Sequence, residues 1–192
     1  MAAEQQNVIH NTRQQIIKTA RKLFSKYTYL GVSMSDIARK LHITKAALYY
    51  HFTGKAEIYK KVLDDAFNGF SLSIAEAAKE KTRSRKLCKL IKNYLDFGLK
   101  EGNLIDALVL KLSPSDPQIR KQIIQIKEQI VNLIQPIVEE AFANSKLKNK
   151  IDIEMVTLLL ISTMNGLLLE YSMLKQKIDT EKISKQIITV LF

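Results

Sequence analysis

Between residues 12 and 27 apolar side chains recur at helical spacing. Ile16, Ile17, Ala20, Leu23, Phe24 and Tyr27 share one face, and Lys18, Arg21, Lys22 and Lys26 occupy the rest. The pattern predicts a first helix over 12–27, with Thr12 and Gln15 as the two halves of a capping box at its start. Ser33, followed three positions later by Asp36, predicts a second helix over 34–41 that buries Ile37, Ala38 and Leu41. After His42-Ile43, Thr44 is placed to cap a third helix that reaches about Tyr50 and turns Leu48 inward. Two short helices joined by a three-residue break form a helix-turn-helix pattern, with small Ala38 at the crossing.

His51-Phe52-Thr53-Gly54 then leads into a long helix over 55–80, with Ile58, Val62, Leu63, Ala66, Phe67, Phe70 and Ile74 inward. The polar stretch Lys79 to Lys86 reads as a bend. Further helices are predicted over 84–101, 103–112, 116–144, 152–177 and 180–191, the last carrying Ile183, Ile187, Ile188 and Leu191. Pro114 and Pro117 mark one boundary, and Asn144 to Lys150 the next. Within 152–177, Val156, Leu158, Leu159, Leu160, Ile161, Leu167, Leu168 and Leu169 surround nearly the whole helix, which implies burial on both sides. Met34, Met155, Met164 and Met173 read as core, and Cys88, beside Leu87 and Leu90-Ile91, as a small buried hydrophobe. The fold class is therefore all-α: a three-helix head over residues 1–54 and a larger helical domain over 55–192.

Composition narrows the function. Six Gly and three Pro in 192 residues are too few for a protein of strands and tight turns. A single cysteine excludes an internal disulfide and a thiolate cluster, and His10, His42 and His51 have no ligand spacing. No nucleophile, base and orienting group converge, and there is no glycine-rich phosphate loop. The reading is of no enzyme, no catalytic residue, no metal site and no cofactor. Residues 1–10 lack the basic start and apolar stretch of a signal peptide. The apolar stretch 156–169 is interrupted by Thr157, Ser162, Thr163 and Asn165, so it reads as a buried helix rather than a membrane span, in a cytoplasmic protein. The formal charge of +11 is unevenly spread: residues 1–55 hold nine Lys/Arg against two Asp/Glu, and the remainder 21 against 17. A polyanion partner for the head would explain that asymmetry, although basic helices also serve simply as solvated faces.

Taken together, residues 12–58 (TRQQIIKTARKLFSKYTYLGVSMSDIARKLHITKAALYYHFTGKAEI) resemble the DNA-binding domain of TetR-family transcriptional regulators. The matching elements are Ile16/Ala20/Leu23-Phe24, Ser33-x-x-Asp36-Ile37-Ala38, Leu48-Tyr49-x-His51-Phe52 and Lys55. The family usually has Gly near Thr28 and at His42, where the chain turns towards a left-handed conformation that histidine tolerates at about 1–2 kcal/mol. The resemblance implies double-stranded operator DNA, an inverted repeat, as partner. Its DNA-contacting residues would be Ser33, Thr44, Lys45, Ala46, Tyr49, Tyr50, His51 and Lys55. Lys45 would face guanine, Thr44 a phosphate or thymine methyl, and Tyr49, His51 and Lys55 phosphates. Each has a plainer reading: His51 as a packing residue, and the tyrosines as surface aromatics supporting the third helix.

The resemblance also implies a homodimer through the last two helices, with Leu159, Gly166, Tyr171 and Ile187 at the interface. A small apolar or amphipathic effector would be lined by Phe67, Phe70, Tyr94, Phe97, Asn165 and Tyr171. A repressor released by such an effector is the expected function; a non-inducible regulator or an activator of the same fold is the alternative.

Overall fold

The computed structural model describes residues 2–102, 104, 116–143 and 150–191, with the side chains of 2–8 and 191 left aside. Among these residues the elements are α1 (Ala2–Lys26), α2 (Met34–Leu41), α3 (Lys45–His51), α4 (Lys55–Ala78), α5 (Arg83–Glu101), α6 (Pro117–Phe142), α7 (Ile153–Leu174) and α8 (Thr180–Leu191). Apart from buried Leu104, the expected helix over 103–112 lies outside the described residues, as do Pro114, most of the 144–150 boundary and the Leu191 side chain.

Packing divides the chain into two compact units, Met1–Phe67 with Glu101–Ile123, and Asn68–Lys100 with Ile124–Phe192. In the first, α1 buries Ile16, Ala20 and Phe24 completely. The Phe24 ring meets Tyr59 of α4 edge-on, with centroids 4.9 Å apart, and Tyr29 closes the cluster at 4.8 Å from Tyr59. Burying each such side chain contributes about 1.5–3 kcal/mol. The α2 capping box forms as expected: the Ser33 and Asp36 side chains each accept from the other's backbone N–H, at 3.2 and 2.9 Å. His42 closes α2 in the left-handed region at φ 56°. Thr28, the other position where a left-handed turn was expected, does not adopt a positive φ.

Two expectations for α1 are corrected. The helix starts at Ala2, so Thr12 and Gln15 lie mid-helix and form no terminal capping box. Residues 2–6 (AAEQQ) are all good helix formers, so nothing stops the helix at Thr12. Tyr27 lies just past the last turn and is 46% exposed rather than on the buried face.

In the second unit α5 is central. Leu87, Leu90, Ile91 and Leu95 are buried, and polar contacts tie the helix to its neighbours. Asn93 Nδ2 donates to the Ser73 carbonyl of α4, Lys86 pairs with Glu140 of α6, and Thr180 of α8 donates to Asp96 at 2.7 Å. At Gly98 the backbone comes so close to Leu168 of α7 that a Cβ would overlap a leucine methyl. Helix α6 opens with Pro117 in its first turn, where the missing N–H costs nothing, and Asp116 accepts from the N–H of Gln118.

Helix α7 departs from expectation. It buries Thr157, Leu160, Met164 and Leu168, while Met155, Leu158, Leu159, Met173 and Leu174 are exposed. One chain therefore covers one face of α7 and not both. Met34 and Met164 are core as expected; Met155 and Met173 are not. Cys88 is half-buried, with its Sγ 3.2 Å from Ser184 Oγ, rather than enclosed in apolar surroundings.

Candidate nucleic-acid interface

The head presents α3 as a two-turn helix held at both ends. At its start the Thr44 side chain accepts from the Ala47 N–H at 3.0 Å, and the hydroxyl keeps its own proton free to donate elsewhere. Leu48 is fully buried and anchors the helix to the core. The remaining side chains turn outward: Lys45 and Ala46 are exposed, Tyr49 is 52% exposed and Tyr50 74%. His51 is half-buried, its ring 5.2 Å from that of Tyr50 in an edge contact. One short helix thus brings Thr44, Lys45, Ala46, Tyr49, Tyr50 and His51 together.

The other two expected contacts sit at neighbouring helix starts. Ser33 caps α2, and its hydroxyl donates to the Asp36 carboxylate at 2.6 Å. These bonds hold the Asp36 carboxyl below its usual range. Lys55, in the first turn of α4, folds its ammonium onto Tyr29. It donates to the Tyr29 carbonyl at 2.9 Å and lies 4.2 Å from the ring centroid. Burial lowers the pKa of this amine.

Residues that sequence reasoning missed hold the joint between α3 and α4. Arg13 of α1 donates to the His51 carbonyl at 2.6 Å and to Glu57 at 2.8 Å, with its guanidinium 4.3 Å above the Phe52 ring. Glu57 in turn accepts from the Thr53 N–H and hydroxyl at 2.8 and 2.9 Å. Burial pushes the Glu57 carboxyl up, but the bonds from Thr53 and Arg13 outweigh it and leave the group below its ordinary value. A signal for Glu57 did exist: it is the third residue of α4, the position from which a carboxylate reaches back to a helix start. Arg13 had none, since its partners lie 38 and 44 residues away.

Of the six residues expected to line an effector site, four gather in the second unit. Phe70 meets Tyr94 edge-on at 5.5 Å and Phe97 at 5.1 Å. The Tyr94 hydroxyl donates to Asn165 Oδ1 at 2.7 Å. Burial raises the Tyr94 pKa well above the ordinary phenol value, so it stays a neutral donor. Tyr171 is half-buried near the end of α7, and Phe67 belongs to the first unit. Among the expected interface residues Leu159 and Gly166 are exposed, Tyr171 and Ile187 half-buried, and Gly166 has no neighbour within 4 Å of a built Cβ.

Comparison with known proteins bears on this arrangement. Residues 16–62 match the family described as bacterial regulatory proteins, tetR family, and residues 64–192 match the C-terminal region of YsiA-like proteins, a TetR C-terminal type. The chain belongs to the TetR family. It is a DNA-binding transcriptional regulator of that family. Over 58 residues the chain is 43% identical to the Staphylococcus epidermidis IcaR, a negative transcriptional regulator of a biofilm operon, a match covering 30% of this chain and 31% of that relative. The matched segment is thus about a third of that relative's length. In fold, the TetR chain is similar to the regulator FadR of Bacillus subtilis solved with stearoyl-CoA, at TM-score 0.78 and 21% identity, covering 93% of this chain and 96% of that one. It is likewise similar to AibR solved with isovaleryl coenzyme A and operator DNA, at TM-score 0.72 and 17% identity, covering 93% and 96%.

Proposed function

We propose that the chain is a repressor that binds an inverted-repeat operator as a homodimer in the cytoplasm and leaves it when an amphipathic acyl thioester binds. One observation carries the DNA-reading half: α3 buries Leu48 and turns Lys45, Tyr49 and Tyr50 outward. An outward row of a cation and hydrogen-bonding aromatics on a short helix anchored by one leucine is what a recognition helix offers to base edges and phosphates. In this reading Lys45 donates to guanine O6/N7, and Thr44 uses its free proton on a phosphate beside Ala46. Tyr49, Tyr50 and His51 contact the backbone, and Ser33 places the start of α2 towards a phosphate. Lys55 is the remaining phosphate candidate, and it would have to exchange the Tyr29 carbonyl for DNA. Residues 1–54 are then the reading head, and 55–192 the effector and dimer domain.

Two copies would pair through the open faces of α7 and α8, and an operator with half-sites one helical turn, about 34–36 Å, apart would take the two heads. The effector class rests on the Phe70/Tyr94/Phe97 cluster, with the Tyr94–Asn165 pair as its polar element. The acyl-CoA ligands of FadR and AibR have the matching chemistry, a long apolar or branched acyl group on a polar carrier.

The test begins with a duplex selected from a random pool by the wild-type protein. Binding to it should fall about 10³–10⁵-fold between about 50 and 200 mM salt if about 6–10 phosphates are engaged. Lys45→Ala should relax preference at one or two positions, at about 1–3 kcal/mol for each base no longer read. Stearoyl-CoA titrated calorimetrically with and without the duplex should bind more weakly to the complex, by about 5–150-fold. Equal affinity in both, for thioesters of every chain length, would replace the inducible repressor by a non-inducible regulator.

A further inference from the structure

We propose that Arg13 is the positioning residue that sets the angle of the recognition helix, by latching the joint between α3 and α4 from α1. The inference rests on α3 being the reading helix. A helix of two turns has little packing surface of its own, and Leu48 is the one α3 residue that is buried. A single buried anchor fixes position but leaves rotation about it loosely determined. The rotation is fixed by what holds the helix ends. Thr44 holds the start from within α3 itself, so it cannot orient the helix against the rest of the head. The far end is held from outside, by Arg13.

The geometry uses both terminal nitrogens of the guanidinium and its flat face. One nitrogen takes the last carbonyl of α3, at His51, and another takes Glu57 in the first turn of α4. The planar face lies on Phe52, the buried residue between the two helices. Glu57 completes the latch by binding both the N–H and the hydroxyl of Thr53, the next residue of the joint. Four consecutive joint residues, His51 to Gly54, thus have their first three fixed by one arginine–glutamate pair. Gly54 follows, its carbonyl accepting from the Ile58 N–H at the start of α4, and the latch spans it. The consequence is that α3 turns with α4 as one body. Lysine cannot replace this: a point ammonium does not reach two divergent acceptors while lying flat on a ring.

The experiment compares Arg13→Gln, Arg13→Lys, Glu57→Gln and Lys45→Ala in the full-length protein. Affinity is measured for the duplex selected by wild type and for a scrambled duplex of equal length, well below the melting temperature, with the salt dependence of each. Arg13→Gln should reduce the selected-to-scrambled ratio about tenfold or more, as much as failing to read one base, with the salt slope on scrambled DNA unchanged. Glu57→Gln should move the ratio in the same direction, and Arg13→Lys should fail to restore it. Restoration by lysine would mean that charge alone matters, and overturns the latch. So would a parallel weakening on both duplexes with the salt slope reduced by about one, which marks Arg13 as a phosphate ligand. A ratio that falls with Lys45→Ala but not with Arg13→Gln rejects the latch alone. If neither variant moves it, the assignment of α3 fails and the latch falls with it.

Discussion

Replacing Arg21 with methionine takes the partner from a buried carboxylate of the first unit. Glu101, at the end of α5, is 2% exposed, and both its oxygens accept from Arg21 of α1, at 2.7 and 2.9 Å. The Arg21 guanidinium also pairs with Asp65 at 2.5 Å, and the bonds to Glu101 and Asp65 raise its pKa. The next residue, Gly102, turns through φ 51° so close to α1 that a Cβ would lie 2.8 Å from the Ser25 carbonyl. Glu101 therefore cannot swing out to water when its partner is removed. Breaking a buried pair from one side costs about 3–5 kcal/mol, because the other charge stays buried and uncompensated. The Asp65 bond adds little, about 0–1 kcal/mol, since Asp65 is half exposed. For a chain of this size the expected fall in Tm is about 6–20 °C at about 2–4 °C per kcal/mol. Thermal denaturation followed by circular dichroism would measure it, with native-state amide exchange on α1 locating the weakened region. Arg21→Met combined with Glu101→Leu should recover most of the stability, since an apolar pair of similar volume leaves no buried charge. A single-variant loss under about 1 kcal/mol, or a double variant as unstable as the sum of the singles, would refute the reasoning.

At Gly98, alanine gains about 1 kcal/mol of helix propensity but drives its Cβ onto Leu168; the clash should win, with a net loss of about 1–3 kcal/mol that a second change, Leu168→Ala, partly relieves. Urea denaturation of the three variants checks it, and a stabilised Gly98→Ala would contradict the close approach. Asp36 and Glu57 both titrate in the folded head below their unfolded values of 3.8 and 4.5, so their contribution is present above about pH 4.5 and is lost as pH falls through the depressed values. Amide protection factors at the starts of α2 and α4, that is, exchange rates corrected for their intrinsic pH dependence, should fall over that range, and Ser33→Ala should blunt the response at α2; protection unchanged down to pH about 3 would count against both caps. Gly166→Leu should weaken the proposed dimer about 5–150-fold, the equivalent of about 1–3 kcal/mol of overpacking, while leaving the isolated chain folded. Sedimentation equilibrium decides that, and an unchanged dissociation constant would move the interface elsewhere.

Local chemistry made much of the fold legible. The Ser33/Asp36 reciprocity, Thr44 before α3 and the span of the last helix, 180–191, are each decided within a few residues, and each matches the structure, although that helix buries Thr180 and Ser184 and leaves Ile183, Ile187 and Ile188 half-buried. The start of α1 misled for the same reason: Thr12-x-x-Gln15 has capping letters, but a cap forms only where the preceding chain leaves the helix, and AAEQQ does not. At the candidate interface, the outward residues of α3 follow from its cap and its one inward leucine. The ties that hold it do not. Arg13 with Glu57 and Arg21 with Glu101 join residues 44 and 80 positions apart, and no periodicity in one sequence encodes such a pairing. Phe70 of α4 and Tyr94 and Phe97 of α5 were expected on one lining from their inward helical positions, and the three rings do gather.

Helix α7 shows where hydropathy stops being informative. Apolar residues all round its axis require two burial surfaces, but the pattern says nothing about which molecule supplies the second. By length and composition alone α7 could cross a membrane, with mean hydropathy 1.5 over its most apolar window. Its open face argues otherwise. Among Met155, Leu159 and Met173 lie Ser162, Thr163, Gly166 and Glu170, all exposed. A carboxylate beside the hydrocarbon core would cost several kcal/mol, whereas an interface with water at its rim accepts one. Small residues at the centre of the stripe, bracketed by flexible methionine and leucine at its ends, suit the close approach of a second helix. In the dimer proposed above, that second helix is α7 of another copy, related by a two-fold axis. That pairing also supplies the second recognition helix that an inverted repeat requires.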